Sequence, residues 1–165
     1  MSIIRPYVES DWPGVWALLE PVFRAGETYA YDPGITEDQA GQVWVNQPAA
    51  TFVATDDDGE LLGTYYLKAN HPELGAHVAN CGYVVAEFAR GQGLAAAMCE
   101  HSQQAARTAG FRAMQFNLVV ASNESAVRLW RRLGFAVVAT LPGAYRHARL
   151  GYVDALVMFK TLVAT

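Results

Sequence analysis

Cysteine is almost missing from this chain: Cys81 and Cys99 are the only two in 165 residues. Two are too few for a disulfide framework and lack the spacing of a metal site, so both are expected as free thiols in a reducing cytosol. Charge is also sparse, at 17% of residues against roughly 25% in an average globular chain. The 12 basic and 16 acidic side chains leave a net charge of −4. The basic residues cluster mainly between Arg90 and Arg149 without interleaved aromatics, which removes support for a nucleic-acid groove and favours a small or basic partner. No run approaches the ~20 apolar residues of a membrane span. Met1 to Pro6 has no apolar signal-peptide region, so a cytoplasmic location is the expectation. Repeats and low-complexity tracts are missing too. What the chain does have is core material: 52% of its residues are hydrophobic, which excludes disorder. At about 150 residues per domain, 1–165 reads as a single domain.

Periodicity orders the elements. Ile3 to Val8 reads as a short strand. A helix opens at Asp11, carries Pro13 in its first turn and Pro21 within it, and stops at Gly26. Its apolar residues Val15, Trp16, Leu19, Val22 and Phe23 recur at three and four, a core-facing stripe. A polar-aromatic loop, Glu27 to Ile35, leads to a second helix capped by Thr36 with Gln39 in the capping-box position. Ala50 to Thr55 and Leu61 to Leu67 flank an Asp57-Asp58-Gly59 turn and form a hairpin. Val78 to Ala86 is another strand, and Gly91 to Gly110 the longest helix. Ala113 to Val120 alternates as a strand, Ser122 or Asn123 caps a helix to Leu133, and Phe135 to Leu141 and Gly151 to Leu162 are two final strands. The order β-α-α-β-β-β-α-β-α-β-β predicts an α+β fold with a mixed sheet.

The chemistry concentrates where a strand runs into a helix, Tyr83-Val84-Val85-Ala86-Glu87-Phe88-Ala89-Arg90-Gly91-Gln92-Gly93-Leu94-Ala95. Unpaired N–H groups and the macrodipole of a helix N-terminus make an anion cradle. Gly91 and Gly93 let backbone approach a pyrophosphate, and Arg90 adds positive charge. No Gly-Lys-Ser/Thr follows, as a P-loop requires, and no third glycine completes a dinucleotide fingerprint.

Arg90-x-x-Gly93-x-Ala95 resembles the acetyl-CoA signature Arg/Gln-x-x-Gly-x-Gly/Ala of the GCN5-related N-acetyltransferase (GNAT) superfamily. Asn123-Glu124-Ser125-Ala126-Val127-Arg128-Leu129-Trp130 through Gly134-Phe135 is similar to its second block, Asn-x-x-Ala-x-x-Leu-Tyr-x-x-x-Gly-Phe. The resemblance covers nearly the whole chain. It implies a GNAT fold of about seven strands, splayed between strands 4 and 5, with about four helices. It also implies acetyl-CoA as co-substrate. Backbone groups of Tyr83, Val84 and Val85 would bond the pantetheine arm, and one N–H would face the thioester carbonyl. Arg90, Gly91, Gln92, Gly93, Leu94 and Ala95 would cradle the pyrophosphate, with Asn123, Ala126 and Trp130 completing the cofactor side. Asn123 is either a pure cap or also a CoA contact.

Trp130 departs from the pattern, standing where many relatives have a tyrosine that protonates the leaving thiolate. An indole N–H donates a hydrogen bond but is no acid near neutrality. Tyr83 and Tyr145 are candidate substitutes or ordinary packing tyrosines. An amine must be neutral to attack, so a base is expected, and Glu27 is the leading base or cation-binding candidate, ahead of Glu87. Asn80 and Asn117 would lie where the two strands diverge, as substrate contacts or as partners of local backbone. Their surroundings, with the Tyr152-to-Val157 strand, resemble fungal acetyltransferases of proline analogues such as azetidine-2-carboxylate, mainly over residues 78–160. Tyr29, Tyr31, Tyr65 and Tyr145 are candidate linings of an acceptor pocket. His147, in a loop from Pro142 to Leu150, is a base candidate or simply exposed. The histidines show no ligand pattern for a metal.

The expected activity is direct acetyl transfer to the amine of a small molecule, an amino acid or analogue. A peptide amine or a noncatalytic acetyl-CoA sensor are the alternatives. No nucleic-acid or membrane partner is expected, and a homodimer is expected from family habit and the apolar final strands.

Overall fold

The computed structural model of the chain describes residues 2–164. Seven strands form one sheet in the order β1-β2-β3-β4-β5-β7-β6. These are β1 (Ile3–Pro6), β2 (Ala50–Thr55), β3 (Leu61–Ala69), β4 (Val78–Val85), β5 (Ala113–Val120), β6 (Ala136–His147) and β7 (Gly151–Thr161). All neighbours are antiparallel except β4 and β5, which are parallel.

Four α-helices flank the sheet: α1 (Trp12–Ala25), α2 (Glu37–Gly41), α3 (Leu94–Thr108) and α4 (Glu124–Arg132). The α1 stripe buries Val15, Leu19 and Phe23 completely or nearly so, with Trp44, Val53, Tyr66 and Val84. Gly26, at φ +63°, ends α1 as the sequence implies. Thr36 and Gln39 close their capping box on α2, which runs on into a π-helical turn at Gln42–Asn46. On the other face α3 packs Met98, Cys99 and Ala106 against Tyr65, Cys81, Met114 and Met158, with Trp130 of α4 joining at the edge.

Two boundaries differ from the sequence reading. α3 starts at Leu94, because Gly91 and Gly93 sit at φ +74° and +81°, outside helical space. The segment Pro142–Leu150 is mostly strand: β6 continues to His147 through an irregularity between Leu141 and Tyr145, and only residues 148–150 turn. Pro142 and Gly143 are tolerated because β6 is the edge of the sheet. No helix among the described residues is long and apolar enough to cross a membrane.

Candidate active site

The parallel ladder between β4 and β5 lasts two pairs, Val78↔Ala113 and Ala79↔Met114, and then the strands part. The side chain of Asn80 sits at the point of separation. Its Nδ2 donates to the Gln115 carbonyl at 2.9 Å, and its Oδ1 accepts from the Tyr66 hydroxyl at 3.1 Å. The fork is thus held by a side chain in place of a further ladder bond, and Asn80 is buried.

Hydrogen bonding to β3 decides which backbone groups of β4 remain free. The Asn70 N–H reaches the Val78 carbonyl at one end, and the Ala86 N–H reaches the Leu62 carbonyl at the other. Between them lie the pairs Lys68↔Asn80, Tyr66↔Gly82 and Thr64↔Val84. Antiparallel alternation therefore turns the N–H and C=O of Asn80, Gly82 and Val84 toward β3, and those of Cys81, Tyr83 and Val85 into the fork. Val84 differs here from the sequence expectation, since its backbone faces Thr64 and its side chain faces α1.

A cleft of about 1240 Å³ opens along this fork. At one end are Glu87, Arg90 and Ala95, with Ser125, Ala126, Leu129 and Trp130 opposite. A Cβ added at Gly91 or Gly93 would meet nothing within 4 Å, so the cradle is open in front of both glycines. Beside it a smaller hollow of about 400 Å³ joins Arg90, Gly91, Gly93 and Leu94 to Arg128 and Arg132 of α4. These last two escaped the sequence reading; their i, i+4 spacing on one helix face was the signal available. Gln92 is exposed and donates its Nε2 to the Phe88 carbonyl. Asn123 caps α4 through its Oδ1, accepting from the Ala126 N–H at 3.4 Å, and also lines the cleft.

The other end is aromatic. Tyr29, Tyr31 and Tyr66 line it with Lys68, Asn80, Asn117, Glu27, His147 and Arg149. Tyr29 donates its hydroxyl to the Tyr83 carbonyl at 2.8 Å, and burial holds that phenol far above its ordinary range. Tyr145 donates to the Tyr29 carbonyl at 2.9 Å, the Ala148 N–H bonds the Gly26 carbonyl, and Arg149 Nε meets Glu27 Oε1 at 2.6 Å. These bonds strap the 27–35 loop to β4 and to the β6–β7 turn.

Several expected roles change here. Tyr65 lies on the α3 face, its hydroxyl 2.7 Å from His101 Nδ1, and does not line the cleft. The Tyr83 phenol also points to α3, 2.6 Å from Ser102 Oγ, and desolvation raises its pKa well above the ordinary value. It is therefore a packing tyrosine, as is the strap residue Tyr145. His147 is buried, not exposed; its Nδ1 accepts the N–H groups of Arg149 and Leu150, so that nitrogen is occupied in the turn. Asn117 is exposed, not buried among apolar neighbours; its Nδ2 reaches Asn70 Oδ1 at 2.6 Å and its Oδ1 accepts from Gln115 Nε2. The Trp130 ring packs at a tilt against Tyr83 and Phe116, its centroid 5.2 Å from each. No metal-holding cluster occurs among the described residues.

Residues 12–135 match the family model described as Acetyltransferase (GNAT) family. A curated relative, N-acetyltransferase aca1 of Schizosaccharomyces pombe, is 30% identical over 148 residues, covering 80% of this chain and 71% of that protein. Mycothiol acetyltransferase of Mycolicibacterium gilvum is 36% identical over 110 residues, 62% of this chain and 34% of that one. Among solved structures, a GCN5-related N-acetyltransferase from Kribbella flavida superposes with TM-score 0.92 at 42% identity over 97% of both chains. A phosphinothricin acetyltransferase from Sinorhizobium meliloti in complex with acetyl-CoA gives TM-score 0.85 at 18% identity, covering 97% and 88%.

Proposed function

The chain belongs to the GNAT family of acetyltransferases and is an N-acetyltransferase; from that premise we propose that its acceptor is the amine of a small molecule, an amino acid or analogue, acetylated directly in a ternary complex. The observation that carries this reading is the strapped aromatic end of the cleft. Tyr29, Tyr31 and Tyr66 meet Asn80 and Lys68 there, and the loop that closes it is tied down by the Tyr29, Tyr145 and Arg149 bonds. A concave pocket with a few convergent polar groups suits a small polar ligand.

Acetyl-CoA supplies an acyl group already activated as a thioester. The residues present fit it: the open glycine cradle with Arg90 for the pyrophosphate, and the free edge groups of Val85 for an amide of the arm. Tyr29 occupies the Tyr83 carbonyl, and the Tyr83 N–H is the proposed donor to a developing oxyanion. Glu27 is the proposed base or cation-binding carboxylate, with Arg149 fixing its orientation. Trp130 donates only, so the thiolate, whose thiol has a reference pKa of about 8.5, leaves without a dedicated acid.

The test is thiol release from acetyl-CoA against a panel of amino acids, proline analogues, polyamines, aminoglycosides and a lysine peptide. Saturable release with an amino-acid-like compound is expected, and turnover of the peptide alone would move the acceptor to proteins. The same reading carries a homodimer through the edge strand β6, which exposes Val138 and Leu141. Static light scattering at micromolar concentration should give twice the chain mass; the monomer mass would remove it.

A further inference from the structure

Lys68 is a cation in the cleft without a counter-ion among the described residues. Among the described residues the ion pairs are Arg5–Asp11, Arg24–Glu20, Arg128–Glu124 and Arg149–Glu27, and none involves Lys68. Among the same residues its ammonium has no hydrogen-bond partner, and it lies 5.1 Å from the centre of the Tyr66 ring, a cation–π contact that limits where it can go. The other acceptor-end cation, Arg149, is already engaged by Glu27.

The register fixes what stands beside it. Lys68 on β3 is directly opposite Asn80 on β4, so the two side chains project from the same face of the sheet. Tyr66 and Tyr31 lie on that face as well. Asn80 is three residues from Tyr83 along β4, about 10 Å at the usual strand rise. A cation over an aromatic ring therefore stands one small-molecule length from the backbone edge that faces the thioester.

Resting on the small-molecule reading above, we propose that Lys68 is the anchor for the acceptor's carboxylate, which makes the acceptor class amino acids with a free carboxyl group next to the reacting amine. The ammonium supplies charge complementarity, Tyr66 holds it over the pocket, and an uncharged amide or ester in place of the carboxylate leaves it unpaired. Lys68 acts on binding and touches neither the thioester nor the proton that leaves the amine.

The experiment compares matched acceptors, azetidine-2-carboxylate with its carboxamide and L-methionine with L-methioninamide, on wild type, Lys68→Met and Lys68→Arg. Acetyl-CoA affinity is measured by calorimetry on each variant to establish that it is folded. The wild type should prefer the acid of a turned-over pair by about tenfold or more in kcat/KM, the scale of one charged hydrogen bond. Lys68→Met should erase that preference through KM with kcat nearly unchanged, and Lys68→Arg should restore most of it. Equal use of acid and amide by wild type, or an equal loss for both in Lys68→Met, overturns the anchor alone. Turnover of no small amine by wild type, with a lysine peptide acetylated, overturns both the anchor and the small-molecule reading.

Discussion

At the scale of single residues, Asn80 and Asn117 separate two roles that look alike in sequence. Asn80→Ala leaves the Gln115 carbonyl without its side-chain partner at a buried fork and removes one acceptor from the Tyr66 hydroxyl. Unfolding by denaturant should show a loss of about 1–3 kcal/mol, together with a loss of turnover. Asn117 is exposed, so Asn117→Ala should stay within about 0.5 kcal/mol of wild type. The two cysteines make a second pair. Burial pushes the Cys81 thiol up to about 12, and burial also raises Cys99. Native protein titrated with a disulfide reagent at pH 8 should show no fast thiol, and denatured protein two. A fast thiol protected by acetyl-CoA would point to an acyl-cysteine. Asn80 was legible because a polar amide in an apolar strand must find partners. Lys68 was not, since a lysine in an alternating strand reads as a solvated position until the register sets it opposite Asn80.

Elements carry the cradle and the corner that supports it. Gly93 adopts φ +81° with open space around its Cα, so Gly93→Ala tests conformation without a clash. It should cost about 1–2 kcal/mol of stability and weaken acetyl-CoA binding in calorimetry. At the start of α1, Asp11 takes two bonds from the Arg5 guanidinium, at 2.7 and 2.8 Å, and one from the Val8 N–H. The hydrogen bond from Arg5 is the main reason its pKa lies below the usual aspartate value. A carboxylate with a depressed native pKa adds stability above its unfolded pKa of about 3.9 and loses it as pH falls through the lowered native value. Thermal melts from pH 5 downward should show this limb in wild type and a flatter one in Asp11→Asn. Element identities were readable because periods of two and three to four dominate each segment. The β6 extension was hidden, because Pro142 and Gly143 signal a turn unless the strand is known to be an edge.

For the whole molecule, the fold and the donor end follow from motifs that are continuous in sequence. Arg90 to Ala95 and Asn123 to Trp130 are each local, and α3 and β5 between them set their spacing. The proposed acceptor end is assembled from the 27–35 loop, β3, β4, β5 and the β6–β7 turn, five places the chain joins only on folding. That is why the Tyr29–Tyr83 and Tyr145–Tyr29 straps, and the vacant ammonium of Lys68, became visible only with the strands in register. In the proposed reaction both substrates meet in this one cleft, and no residue of the protein carries the acetyl group. Initial rates of thiol release, with acetyl-CoA and a turned-over amino acid both varied, test it most directly. Intersecting reciprocal plots, with no thiol released when the amine is withheld, are the result predicted. Parallel plots with a stoichiometric burst of thiol in the absence of amine would contradict it.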